Sequence, residues 1–218
     1  MEPPLVLASA SPRRRELLGG LGVPFSVVAA DVDEAAIARG LVPRVGAAAV
    51  AREKARVVAA RAPGGAVLAA DTIVVLEGHA LGKPVDHEDA QRMLARLRGR
   101  SHEVVTAIEV VAPAGGREGR LVTTTVRMRA WSDDEAAAYV ASGAPLDKAG
   151  GYGIQDEPFA PVQAIDGCWC NVVGLSLWVT AEMLGAIGIA APVTPDMRSP
   201  TCAGCPLRSP AGASGQCA

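Results

Sequence analysis

The stretch LASASPRRRELL, Leu7 to Leu18, sets a run of arginines directly behind a Ser-Pro pair. Ser11 reads as a helix N-cap and Pro12 as the first helical residue, so unpaired backbone N–H groups gather at that point. Such a terminus attracts anions, and the forked guanidinium groups of Arg13 and Arg14 match phosphate oxygens. Cations in a first helical turn oppose the helix dipole, so three in a row ask for a compensating anion. The same residues also read as an ordinary capped helix with a solvated basic face, and both readings stand at this level.

Asp71 lies between two apolar runs, AVLAA and TIVVL. A carboxylate among strand residues is costly to bury unless it is paired, bound to a metal, or placed where a strand ends and a crevice opens. That makes it a candidate acid or base, with a turn aspartate as the alternative. The acidic stretch DVDE, Asp31 to Glu34, suits Mg2+ or Mn2+, ions held by one or two carboxylates together with water. Asp31 and Asp33 read as soluble surface, and Glu34 stays open as a ligand. Lys83, in LGKP, precedes a proline that fixes its backbone and so aims its ammonium. Lys54, in AREKAR, reads from its neighbours as part of a solvated helix face. In DKAGGYGIQ the glycines permit close backbone approach to a ligand, and the Gln155 amide suits a base edge; a flexible turn is the alternative.

Several common sites are absent. The chain has no G-x-x-x-x-G-K-[ST], no G-x-G-x-x-G after a strand, no H-E-x-x-H and no G-x-S-x-G. His79, His87 and His102 are scattered without ligand spacing. TCAGCP holds a C-x-x-C, Cys202 and Cys205, with Cys217 beyond it. Metal binding or redox pairing is open to these thiols, but an unstructured tail is the expectation, since no second C-x-x-C or histidine pair accompanies them.

The elements that position these residues follow from periodicity and punctuation. Leu5 to Ala8 predicts a strand, followed by a tight turn and a helix to Leu21. VPFSVVAADVDE predicts a second strand running into the acidic loop, and the alanine-rich stretch from Gly46 to Ala62 a helix. AVLAADTIVVLEG reads as two apolar runs interrupted by one acid. Asp86 caps a helix from His87 to Arg98, and two β-branched runs around Gly115-Gly116 predict a hairpin. SDDE, from Ser132, is a capping box opening a helix to Ser142. Short strands are expected at Val162 to Ile165 and at Trp169 to Val173, and a closing helix from Leu175 to Ile187. Alternation of strands and helices followed by a hairpin implies an α/β fold, a mixed sheet flanked by helices. The expected organisation is one domain over 1–190 and a flexible, proline- and cysteine-containing tail over 191–218.

Composition bounds the partners. Among 218 residues, 21 Lys and Arg face 23 Asp and Glu, for a net charge of −2. That balance argues against broad binding to nucleic acid or an anionic membrane, so any anion site is local. No apolar run approaches the roughly 20 residues of a membrane span, and the opening Met1-Glu-Pro-Pro lacks the basic and apolar regions of a signal peptide. A soluble cytoplasmic protein is expected. An odd set of five cysteines then points to thiols rather than a disulfide framework.

Taken in order, LASASPRRRELL, DVDE, AREKA, ADTIVV, LGKP and DKAGGYGIQ followed by NVVGLSL resemble the Maf family of nucleoside triphosphate pyrophosphatases, over Leu5 to Ile187. The resemblance implies a mixed α/β fold with an elongated sheet, akin to inosine triphosphate pyrophosphatases. It implies hydrolysis of a nucleoside triphosphate to monophosphate and pyrophosphate with Mg2+ or Mn2+, and a homodimer. By position, Ser9, Arg13 and Arg14 would grip phosphates, Glu34 and Asp71 would hold metal or activate water, and Lys54 and Lys83 would be charge partners. Arg13, Thr72 and Gln155 match the dTTP/UTP branch of the family. Ser176 replaces a usual proline, Cys168 a common serine, and the cysteine-bearing tail is an addition. Competing expectations are action on modified nucleotides, a nucleotide-binding regulator of cell division without turnover, and a metal-binding module built on the tail.

Overall fold

The computed structural model describes residues 4–192 and 205–207. In chain order these form β1 (Leu5–Leu7), α1 (Pro12–Gly19), β2 (Phe25–Val27), α2 (Glu34–Ala38), α3 (Pro43–Ala59), β3 (Ala66–Leu76) and β4 (His79–Leu81). There follow α4 (His87–Leu97), β5 (Ser101–Val111), β6 (Arg117–Met128), α5 (Asp133–Ala141), β7 (Val162–Asp166), α6 (Trp169–Val173) and α7 (Leu177–Ala186). Seven strands make one mixed sheet in the order β2-β1-β3-β5-β6-β7, with β4 also pairing β3. β1 runs parallel to β2 and β3, and the pairs β3–β5, β5–β6 and β6–β7 are antiparallel.

Local signals account for most element ends. The Ser11 side chain accepts from the Arg14 N–H with Pro12 opening α1, Asp86 caps α4, and Ser132 with Glu135 closes a reciprocal capping box on α5. Along β3, side chains alternate between the two faces of the sheet. Val67 and Ala69 pack with Ala55 and Val58 of α3. Leu68 and Ala70 face the other way, into a cluster with Leu17 and Leu18 of α1 and Leu177, Met183 and Leu184 of α7. Farther along that second face, Val74 and Leu76 meet Leu94 and Leu97 of α4 and Tyr139 of α5. The molecule is therefore layered, with α3 on one side of the sheet and the other long helices on the opposite side.

Three expectations change. AVLAADTIVVL is a single strand, Ala66–Leu76, with Asp71 in its middle rather than at a break. The long helix begins at Pro43, because proline in the first turn costs no hydrogen bond, and it ends at Ala59. Trp169 to Val173 is helix α6, not a strand. The β-branched Val172 and Val173 favour strand locally, but the Asn171 amide donates to Val104 O and Thr124 Oγ1, both at 3.0 Å, and this anchorage sets the turn.

Of the expected flexible tail, most lies outside the described residues. Cys205, within the described part, is buried in the cluster that contains Cys168 and Cys170. Among the described residues no helix is long and apolar enough to cross a membrane.

Candidate active site

Unequal strand lengths create the site. β1 pairs with β3 only as far as Leu7↔Leu68, and β4 takes up the same edge of β3 again at Val74↔Leu81. Between them, Ala69 to Ile73 carry β5 on one edge and no described strand on the other. A cleft of about 550 Å³ opens at this notch, lined by the turn after β1, the start of α1, Lys54, Thr72, Lys83, the loop of residues 147–156 and Gly174. Because neighbouring strand residues point to opposite faces, Asp71 and Thr72 approach the notch from the two sides of the sheet.

On the Thr72 side stands Arg14. Its Nε donates to Gly174 O at 2.9 Å, Nη2 to Thr72 Oγ1 at 2.9 Å and Nη1 to Ser9 Oγ at 3.4 Å. A planar fork held at three points has a fixed direction. Burial pulls its pKa below the ordinary arginine value, while the carboxylates of Asp71 and Glu34 oppose that shift. Gly174 adopts φ 131°, a conformation that suits glycine, and this turn presents its carbonyl to the guanidinium. Thr72 is steadied in turn by Thr106 Oγ1 at 3.0 Å. Arg13 reaches across the cleft, where its Nη1 donates to Asp147 Oδ2 at 3.0 Å. Arg15, the third of the run, is exposed and does not line the cleft.

On the Asp71 side, Lys54 Nζ lies 2.9 Å from Asp71 Oδ1 and 2.7 Å from Glu34 Oε1. Glu34 opens α2 behind the N-cap Asp33, whose side chain accepts from the Ala36 N–H at 2.9 Å. Lys54 shares the buried face of α3 with Ala47, Val50, Ala51, Ala55 and Val58, so the expectation of a solvated lysine is overturned. An ammonium inside such a stripe is tolerable only with carboxylate partners, and it has two.

The far wall is the loop from Asp147 to Asp156. Gly150, at φ 71°, turns it against Val74; a Cβ there would lie 3.1 Å from a Val74 methyl. Lys148 Nζ contacts Asp147 Oδ1 at 2.9 Å and Asp156 Oδ2 at 3.4 Å, and Tyr139 OH donates to the same Asp156 oxygen. Burial pushes the Asp147 carboxyl up, but hydrogen bonds from Lys148 and Arg13 outweigh it and hold the group below its usual value. Tyr152, also in the lining, meets His102 Nε2 at 2.6 Å from its OH.

Ser9, Arg13, Arg14, Glu34, Lys54, Thr72, Lys83 and Gln155 thus all line one cleft. Asp71 is one bond removed, behind Lys54. Asp31 and Asp33 do not line it. Sequence reasoning passed over Asp147, Lys148 and Asp156, although the first two begin the glycine-rich loop it singled out. Glu34 and Asp71, both paired with Lys54, carry the hard oxygens that would hold an ion, and among the described residues no group of three His, Cys, Asp or Glu side chains is gathered for one. That donor set fits a divalent cation shared with a phosphorylated ligand, the usual arrangement for Mg2+.

Several known proteins resemble this chain. A protein from Thermomicrobium roseum named dTTP/UTP pyrophosphatase is 54% identical over 208 residues, covering 93% of each chain. One of the same name from Myxococcus xanthus is 51% identical, covering 86% of this chain and 94% of that one. Another, from Moorella thermoacetica, is 49% identical, covering 85% and 95%. A crystal structure of a nucleoside-triphosphatase, dITP/XTP pyrophosphatase, from Mycobacterium abscessus matches with a TM-score of 0.38 at 19% identity, covering 57% of this chain and 74% of that one. The family model described as Maf-like protein matches residues 4–187, and with relatives at about half identity over most of its length this chain belongs to the Maf family.

Proposed function

We propose that the chain hydrolyses nucleoside triphosphates, dTTP and UTP before purines, to the monophosphate and pyrophosphate. The observation that carries this reading is the convergence of a rigidly held Arg14 and a Lys54–Asp71–Glu34 cluster on one cleft from opposite faces of β3. The curated relatives bear the corresponding name.

Phosphoryl chemistry of this kind asks the protein mainly for positioning and charge neutralisation. Arg14, already aimed, takes phosphate oxygens on its open side together with the backbone N–H groups at the start of α1. Arg13 and Lys83 neutralise the outer phosphates, with Arg13 exchanging Asp147 for substrate. Lys54 turns from its carboxylates toward the phosphates, which frees Asp71 and Glu34. Asp71 then accepts a proton from the water whose oxygen attacks the α-phosphorus, and pyrophosphate leaves on the opposite side. Glu34 and Asp71 would hold Mg2+ or Mn2+ carried in with the substrate, and such an ion supplies further neutralisation of phosphate charge.

Gln155, on the cleft rim, offers a donor and an acceptor to the N3–H and carbonyl edge of uracil or thymine. A mismatched edge leaves polar groups unpaired, which is the basis of the selectivity. The same reading takes the chain as a cytoplasmic homodimer acting on a small molecule, with no nucleic-acid or membrane partner. Pyrophosphate release measured across dTTP, UTP, dATP, GTP, 7-methyl-GTP and modified triphosphates, with Mg2+ and with Mn2+, tests it. The highest kcat/KM should fall on dTTP or UTP; a purine or modified nucleotide in first place refutes the specificity, and no release from any refutes turnover.

A further inference from the structure

The proposed reaction leaves unused a group of thiols on the face of the sheet that carries α1 and α7. Cys168 is the N-cap of α6, Cys170 lies in its first turn, and Cys205 arrives from a segment more than thirty residues later in the chain. All three are buried, at 1%, 1% and 6% exposure, in one cluster, and none is in a disulfide. The Cys168 sulfur has side-chain hydrogen bonds with both Cys170 and Cys205 and lies 3.6 Å from Ser176 Oγ.

A single buried cysteine is an ordinary small apolar residue. Three thiols gathered about the Cys168 sulfur, drawn from two distant segments, are more than packing requires. Thiolates are also the commonest ligands of structural zinc, and Cys168, Cys170 and Cys205 bring three thiols to one place. The start of α6 supplies in space two further thiols beside Cys205. Thiolate sulfur selects borderline and soft ions over Mg2+ or Ca2+, and for a divalent ion with no redox chemistry that means Zn2+.

We propose that Cys168, Cys170 and Cys205 supply three thiolate ligands to one Zn2+ ion at a site separate from the cleft. The sulfurs are at present joined by hydrogen bonds rather than set around a common point, so binding the ion requires these side chains to rearrange. Each coordinating thiol gives its proton to solvent as its S–Zn bond forms, and no electron is transferred. The site would pin the first turn of α6. That helix ends at Gly174, whose carbonyl holds Arg14, so the ion would brace the anion cradle from the far end of α6 and tie the chain around residue 205 to the core.

Metal retention by the full-length chain decides the matter and is independent of nucleotide turnover. The reduced, chelator-treated protein is loaded with Zn2+ or Co2+, desalted and assayed for metal by mass spectrometry and for absorption. The expected result is one tightly held Zn2+ per chain, and in the Co2+ form a thiolate-to-cobalt charge-transfer band that carboxylate ligands do not give. Cys168→Ser and Cys205→Ser should weaken binding at least about tenfold, and Cys217→Ser should leave it unchanged. Wild-type protein that retains no zinc, a Co2+ spectrum without the thiolate band, or unchanged affinity in the Cys168 and Cys205 variants would overturn the assignment. If either variant fails to fold, the wild-type Co2+ spectrum alone decides.

Discussion

Replacing Lys54 with Met separates what the buried cluster does for the fold from what it does for chemistry. Methionine fills nearly the volume of the lysine stem but leaves the carboxylates without their shared ammonium. The two do not lose equally. The Glu34 side chain is 56% exposed and turns to water at a cost of at most about 1 kcal/mol. The Asp71 side chain is 10% exposed, and stripping a buried carboxylate of its partner costs about 3–5 kcal/mol. Because Asp71 lies only one hydrogen bond behind the lining of an open cleft, the lower end applies, and Lys54→Met should lose about 3 kcal/mol at neutral pH. Adding Asp71→Asn removes the stranded charge and should restore about 2 kcal/mol of that loss, the signature of a coupled pair. Urea unfolding followed by circular dichroism, with unchanged slopes, measures both quantities. Both variants should be inactive in pyrophosphate release, so stability returns without turnover. A loss under about 1 kcal/mol for Lys54→Met, or a double variant no more stable than the single one, would show that this ion pair does not hold the site together.

Other expectations concern single positions. Asp71→Asn alone should lower kcat by roughly 100-fold or more if Asp71 takes the proton from water, and near wild-type turnover in a pyrophosphate assay would remove it from that role. Burial pushes the His102 pKa down to about 4, against about 6.5 in an unfolded chain. The unfolded state therefore binds more protons in between, and stability present above pH 6.5 is lost as pH falls toward 4, by about 3 kcal/mol. Denaturation curves for His102→Asn should lack that part of the acid loss; identical pH profiles for the two proteins would contradict it. Gly174→Ala forces a side chain onto φ 131° with its Cβ 3.6 Å from Arg14 Nε, and should cost about 1–3 kcal/mol. The KM for the triphosphate should rise with it, and an unaltered KM would mean that the Gly174 carbonyl does not aim Arg14.

How far the site was legible depends on whether its determinants are local. Ser11-Pro12, Asp86 and the Ser132–Glu135 box are contained within four residues, and each marked its helix correctly. Lys54 carried a signal that its immediate neighbours hid. The small and apolar residues at 47, 50, 51, 55 and 58 form a helical stripe that includes position 54, which predicts a buried lysine and so a carboxylate partner. Asp71 interrupted an apolar run visibly, but the strand continues through it because of Lys54, a residue 17 positions away. Trp169 to Val173 reads locally as a strand but is helix α6, because Val104 and Thr124, which hold Asn171, are 67 and 47 residues distant. The notch itself has no sequence signature, since it exists only as the difference between where β1 and β4 meet β3.

Arg14 owes its direction to a main-chain oxygen contributed 160 residues later. During synthesis on a ribosome, the first helix can form early, yet its guanidinium has no fixed heading until nearly the whole domain has emerged. A nascent or prematurely terminated chain would thus leave cellular nucleotides untouched, and competence would arrive in one step with the last turns of the fold.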